Sequence, residues 1–142
     1  MRILTVRQPW AWAIIHAGKN IENRQTNIAG SYRGPVAIHA AKALPTPDAW
    51  NNASDVVARV TGMRPLIVPP SQLGAIIGVV DLIDIHEDDS AACYSCTEWA
   101  EVAWHMVLAN PRPLTEPIPY RGMLGLRRLD DETITRIKAA IA

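Results

Sequence analysis

At 142 residues, 49% of them apolar and 20% charged, the chain can bury one core but not two, so residues 1–142 are expected to form a single domain. Fourteen basic side chains balance fourteen acidic ones, which argues against avid, sequence-independent coating of duplex DNA, a mode driven by many phosphate contacts. No apolar run approaches the roughly 18 residues of a membrane span, the N-terminus lacks the order of a signal peptide, and two cysteines are too few for a secreted disulfide framework, so a cytoplasmic protein with no membrane partner is expected.

In chain order, "RILTV" from Arg2 is β-branched enough for a first strand, and Pro9 suits the first position of a helix running through Ala17 and closed by Gly18. "NIENRQ" from Asn20 reads as a strand whose two-residue period puts Glu22 and Arg24 on one face and Ile21 and Asn23 on the other. A third strand is expected over Gly34–Lys42, then a helix starting at Thr46 or Pro47 and stopping at Gly62. Gly74–His86, "GAIIGVVDLIDIH", is the strongest strand signal, long enough to bend near Gly78 and to centre the core. A polar loop from Glu87 to Glu101 leads to a strand near "WHMVLAN", and the prolines of "NPRPLTEPIPYRG" suit an edge or extended segment. "LGLRRL" reads as a closing strand, and the last helix carries acids in its first turn and Ile134, Ile137 and Ile141 on one face. Strands closing around one core with short helices outside predict an α+β fold, a small mixed β-barrel.

Charge is split along the chain. Residues 1–42 hold Arg2, Arg7, Lys19, Arg24, Arg33 and Lys42 against Glu22 alone, whereas residues 43–111 hold two basic and nine acidic side chains. Such a split can give one face of a neutral protein a positive potential suited to phosphate, unless folding interleaves the signs.

Four groups of residues could carry chemistry. Lys19, Glu22 and Arg24 combine two cationic donors with a carboxylate able to accept from an exocyclic amine, although a solvated, ion-paired strand gives the same spacing. In "QPWAW", Trp10 could stack on a base if its ring is exposed, and the Gln8 amide could meet a base edge or cap the backbone. His39, in an apolar strand, fits a core or pocket-lining histidine better than a catalytic one. His86, Cys93, Cys96 and His105 could in principle ligate zinc, but their outer spacings match no zinc pattern, so neither metal nor cofactor is expected. No phosphate-cradling glycine loop, GxSxG elbow or HExxH helix occurs.

"LTVRQPWAWAII", "GKNIENR", "YRGPVAIHAAK", "GAIIGVVDLID" and "PIPYRGMLGL", taken in this order from about Leu4 to Leu129, resemble the ASCH domain, the activating signal cointegrator homology region of the PUA-like barrels. Lys19, Glu22 and Arg24 fall on the Lys, Glu and Arg of the family's GxKxxExR pattern. Its glycine falls on Ala17, one place before Gly18, and Arg127 stands where the family often carries a tryptophan. The resemblance implies a barrel with a cleft walled by the charged trio and buttressed by the "PWAWAIIHAG" helix, similar to clefts in which PUA-like relatives hold RNA or a modified base.

Several functions follow as expectations. The first is an RNA-binding module for single-stranded RNA or an unstacked nucleotide, with DNA as an alternative partner. Lys19 and Arg24 would meet phosphate or base, Glu22 would accept from the base, Gln8 would assist, Trp10 or Tyr32 would stack, and Arg33 and Lys42 would extend the basic set. The second is a metal-independent ribonuclease, with Glu22 or His39 as base beside Lys19 and Arg24. The third is an amidohydrolase acting on N4-acetylcytidine, weakened because Glu22 stands where such relatives carry a threonine. The fourth is docking of a protein through the proline-rich edge or the acidic loop.

Overall fold

The computed structural model describes residues 1–65, 68–88, 97–101 and 104–142. Six strands, β1 (Arg2–Val6), β2 (Ile21–Arg24), β3 (Gly34–Ala40), β4 (Ala75–Glu87), β5 (Trp104–Pro119) and β6 (Leu126–Arg128), form one mixed sheet in the order β2-β5-β4-β3-β1-β6. β1 and β3 run parallel, and the other neighbouring pairs run antiparallel. Helices α1 (Trp10–His16), α2 (Pro47–Thr61) and α3 (Asp131–Ala140) complete an α+β fold. The sheet is a half-barrel: it curls, but its edge strands β2 and β6 do not pair with each other. Among the described residues no helix is long and apolar enough to cross a membrane.

Both faces of the sheet are covered, which explains the near-continuous apolar runs of β3 and β4. One face carries Leu4, Val36, Ile38, Ile77, Val80 and Leu82, packed against Ala11, Ile14 and Ile15 of α1. The opposite face carries Ile3, Ala37, Ile76, Val79, Leu114 and Ile118, packed against Ile137 of α3, with Ile134 and Ile141 beside it. The expected face of the last helix is therefore the one that packs.

The helix ends follow their capping residues. Thr46 accepts the Ala49 N–H at the start of α2, Gly62 closes it in the left-handed region at φ 76°, and Asp130 accepts the Thr133 N–H at the start of α3. Pro9 caps α1 rather than occupying its first turn, and the helix ends at His16, one residue earlier than its pattern suggests.

β5 is longer than its sequence indicates, a single strand through the proline-spaced run. Pro111, Pro113, Pro117 and Pro119 lie beyond the four residues that β2 covers; β4 is the one strand beside them, and on the other side only an isolated bridge from Leu114 to Ile141 is made, so their missing N–H groups interrupt no second ladder. Register shifts between Ile76 and Gly78, Val79 and Asp81, and Leu82 and Asp84 bend the β4–β5 pair and supply much of the curl.

The bend near Gly78 has a packing reason. A Cβ there would stand 2.5 Å from the Ile15 Cδ1 and 2.9 Å from the Arg112 carbonyl oxygen, so the absent side chain lets α1 seat on the sheet. Gly78→Ala is expected to cost about 1–3 kcal/mol through this overpacking. Urea denaturation measures it, and a variant as stable as the parent would remove Gly78 as the seat of α1.

Candidate nucleic-acid cleft

The charged trio is built by one turn and one strand face. Gly18 adopts φ +72°, a conformation natural to glycine, and the chain folds back so that the Lys19 N–H donates to the Ala13 carbonyl at 3.1 Å. The Lys19 side chain is then directed inward, where only 3% of it is exposed. Its ammonium donates to the Ile21 carbonyl, stands 3.6 Å from Glu22 Oε2, and lies 5.1 Å from the centre of the Trp10 ring and 5.7 Å from that of Trp99. Burial pulls the Lys19 amine below its ordinary value, against the opposing pull of the Glu22 and Glu101 carboxylates.

Glu22 Oε1 lies 3.3 Å from Arg24 Nη2, which also donates to the Thr5 carbonyl at 3.0 Å. Glu22 and Arg24 thus share a face, as the strand period requires, and the carboxylate is held from both sides. The Arg24 Nε–H is buried without a partner among the described residues.

Two clefts meet at Glu22. The first, about 240 Å³, lies between Trp10, Lys19 and Glu22 on one side and Arg59, Glu98, Trp99 and Glu101 on the other. The second, about 420 Å³, is lined by Arg24, Thr5 and the Met123–Gly125 segment, in the seam where the half-barrel stays open. Trp10, Glu22 and Asn23 line both. Trp10 is half-buried: it packs on the core and still presents surface to the clefts.

The other candidates are placed elsewhere. Gln8 is 1% exposed and committed: its Oε1 accepts the Trp12 N–H at 2.9 Å and its Nε2 donates to the Gln72 carbonyl at 3.2 Å, so its amide steadies α1 rather than lining either cleft. Tyr32 donates to the Pro35 carbonyl and lies under Arg2, while Arg33 lies 3.7 Å from Asp84, and neither reaches the clefts. Lys42 lines a third cleft, as does His39. The Nε2–H of His39 donates to the Tyr120 carbonyl at 2.7 Å, and its Nδ1 accepts the Thr5 hydroxyl at 3.2 Å, while the Met123 N–H donates to that hydroxyl. This is a neutral, fully engaged imidazole. His86 lies 2.8 Å from Asp84 and stacks edge-on with His105, whereas Cys93 and Cys96 lie outside the described residues.

Sequence reasoning missed the far wall of the first cleft. Asn23 donates to the Trp99 carbonyl at 3.0 Å and accepts the Glu101 N–H at 3.0 Å, which clamps that segment opposite the trio. The one signal was a tryptophan between the acids Glu98 and Glu101 in "TEWAE".

Two outcomes follow. Arg24→Ala should cost about 1–3 kcal/mol, since it removes a charge-assisted bond across the seam and leaves Glu22 with one partner; chemical denaturation measures this, and an unchanged midpoint would deny the bridge. Burial holds the His39 imidazole below its ordinary 6.5, so the unfolded chain takes up that proton first. Its contribution is complete above about pH 6.5 and is lost as pH falls through the folded value. The melting temperature should therefore fall from about pH 7.5 to 5.5, and His39→Gln should reduce that slope, leaving the share of His16, which burial also holds down. An identical slope in the variant would assign the pH dependence to other groups.

The family model for the ASCH domain matches residues 4–118. Two crystal structures from Zymomonas mobilis share the fold. A tyrosine-to-phenylalanine mutant of ZmASCH superposes with a TM-score of 0.59 at 16% identity, covering 99% of this chain and 98% of the other. ASCH from the same organism gives a TM-score of 0.54 at 14% identity, covering 99% and 95%. Comparison with curated protein sequences finds no match. The match to most of the chain, on the fold that carries the Lys19, Glu22 and Arg24 pattern, places the protein in the ASCH domain family.

Proposed function

We propose that the protein binds single-stranded RNA or an unstacked nucleotide, with the base beside Trp10 and Glu22 and the adjoining phosphate on Arg24. The observation that carries this reading is the position of the Glu22 carboxylate. It is buried, held by Lys19 and Arg24, and forms the common wall of two clefts beside a partly exposed tryptophan. A preorganised carboxylate accepts from the exocyclic amine of a base without losing rotamer freedom on binding, and the indole face offers stacking that any base can use. Lys19, enclosed between two indole rings, acts from beneath by fixing the carboxylate. Arg24 remains partly exposed and retains donor capacity toward the seam.

A second reading rests on Lys19 itself. A buried amine whose proton affinity is lowered, 3.6 Å from a carboxylate, has the composition of a proton-transfer pair, which would serve hydrolysis in the same cleft, by a ribonuclease or an amidohydrolase of acylated cytidine.

One gel separates binding from RNA cleavage, and an acetate assay tests the amidohydrolase. End-labelled single-stranded RNA incubated with excess protein in chelator should shift on a native gel, and Glu22→Gln should weaken the shift by about tenfold or more, while Arg136→Ala on α3 leaves it intact. Equal shifts for parent and Glu22→Gln, with both folded by circular dichroism, would move the site elsewhere. Fragments on a denaturing gel that vanish in Glu22→Gln would establish the ribonuclease, and acetate release from N4-acetylcytidine would establish the amidohydrolase.

A further inference from the structure

A third cleft, about 660 Å³, continues the seam and is joined to the second through Thr5, Arg7 and Ala41. Its charge is one-sided. Among the described residues Arg7, Lys42 and Arg121 line it and no carboxylate does, whereas the first cleft mixes Glu22, Glu98 and Glu101 with Lys19 and Arg59. All three cations are exposed, and none pairs with a carboxylate among the described residues.

Topology brings them together. β1 and β3 run parallel with Val6 opposite Ala40, so the chain leaves both strands at the same end and delivers Arg7 and Lys42 side by side. Ala75 pairs with Ala40 on one side and with Pro119 on the other, which places Arg121, two residues beyond Pro119, at the same end of the sheet. Three cations from three separate segments, with no acid among the described residues that line the cleft, form a surface for several negative charges rather than one.

Resting on the nucleotide reading above, the geometry points to a subsite in this third cleft for the phosphates of neighbouring nucleotides, so that the preferred ligand is a single-stranded oligonucleotide rather than a free nucleoside. The furrow offers carboxylates among cations where an amine-bearing base is held and cations alone where the backbone leaves it. A base enters beside Glu22, and the attached strand runs through the seam onto Arg7, Lys42 and Arg121. This is the division of labour of single-strand binders, in which a basic groove tracks the backbone while aromatic faces hold bases. Continuity with the base cleft favours a nucleic acid over an acidic peptide as the occupant.

Calorimetric titration with cytidine 5′-monophosphate, a cytidine tetranucleotide and octa-aspartate tests this. The parent should bind the tetranucleotide about tenfold or more tightly than the mononucleotide, and the double variant K42E/R121E should lose that gain. The variant's dependence of log K on log salt should be shallower by about 1.4, the share of two phosphate contacts on a single strand. No gain from length in the parent, a gain that survives K42E/R121E, or octa-aspartate binding as tightly as the tetranucleotide would each overturn the subsite. Failure of the base-cleft reading is distinct, because it appears as mononucleotide binding unaffected by Glu22→Gln. Absence of binding by all three ligands would overturn both.

Discussion

A sheet that curls without closing leaves a seam, and in this protein one guanidinium spans it. Arg24, on the edge strand β2, donates to the Thr5 carbonyl of β1, on the far side of the sheet order, and the same Nη2 lies against Glu22. Bridging of the open seam and placement of the carboxylate are therefore one interaction. Thr5 is the receiving hub: its carbonyl takes Arg24, its hydroxyl oxygen takes the Met123 N–H, and its hydroxyl proton goes to His39. Through these bonds β2, the Met123 segment and β3 are tied to β1 around the line of clefts.

Burial of Lys19 needs a reason beyond stability, because replacing a buried ion pair with apolar packing is often neutral or favourable. The structure offsets its desolvation with the Ile21 carbonyl, two indole faces and the Glu22 carboxylate. The result is a carboxylate whose position is set from below by an ammonium with almost no surface of its own. Removing Lys19 would leave Glu22 held only by Arg24, free to turn toward the seam. The geometry thus suits Lys19 to a positioning role, and its lowered proton affinity follows from the same enclosure.

How much of this was legible in the sequence depended on the range of the interaction. The common face of Glu22 and Arg24 follows from a two-residue period, the ends of α2 at Thr46 and Gly62 from local chemistry, and the central place of β4 from a long apolar run rich in β-branched residues. Lys19 was legible as a candidate but not as a buried one, because its inward course depends on the Gly18 turn and on two tryptophans, one of them 80 positions away. The far wall of the first cleft was illegible for the same reason: Asn23 reaches Trp99 and Glu101 across 76 and 78 positions, and nothing local marks the contact. Gln8 misleads in the opposite way, since an amide before a helix suits a base edge and a backbone cap equally, and only its partners distinguish them.

The charge split along the chain becomes something different in space. Lys19, from the basic first third, faces Glu98 and Glu101 from the acidic middle across the first cleft, so there the signs interleave. Arg7 and Lys42, from the same basic third, are carried away from those acids by the parallel exit of β1 and β3, and Arg121 joins them from beyond the acidic stretch. A neutral chain thereby acquires a furrow with mixed charge at one end and, among the described residues, cations without carboxylates at the other. Because the parallel pair is the one departure from antiparallel order among the described strands, that polarity is a consequence of strand direction as much as of composition. Reversing β3 would return Lys42 to the opposite end of the sheet and leave Arg7 without its neighbour.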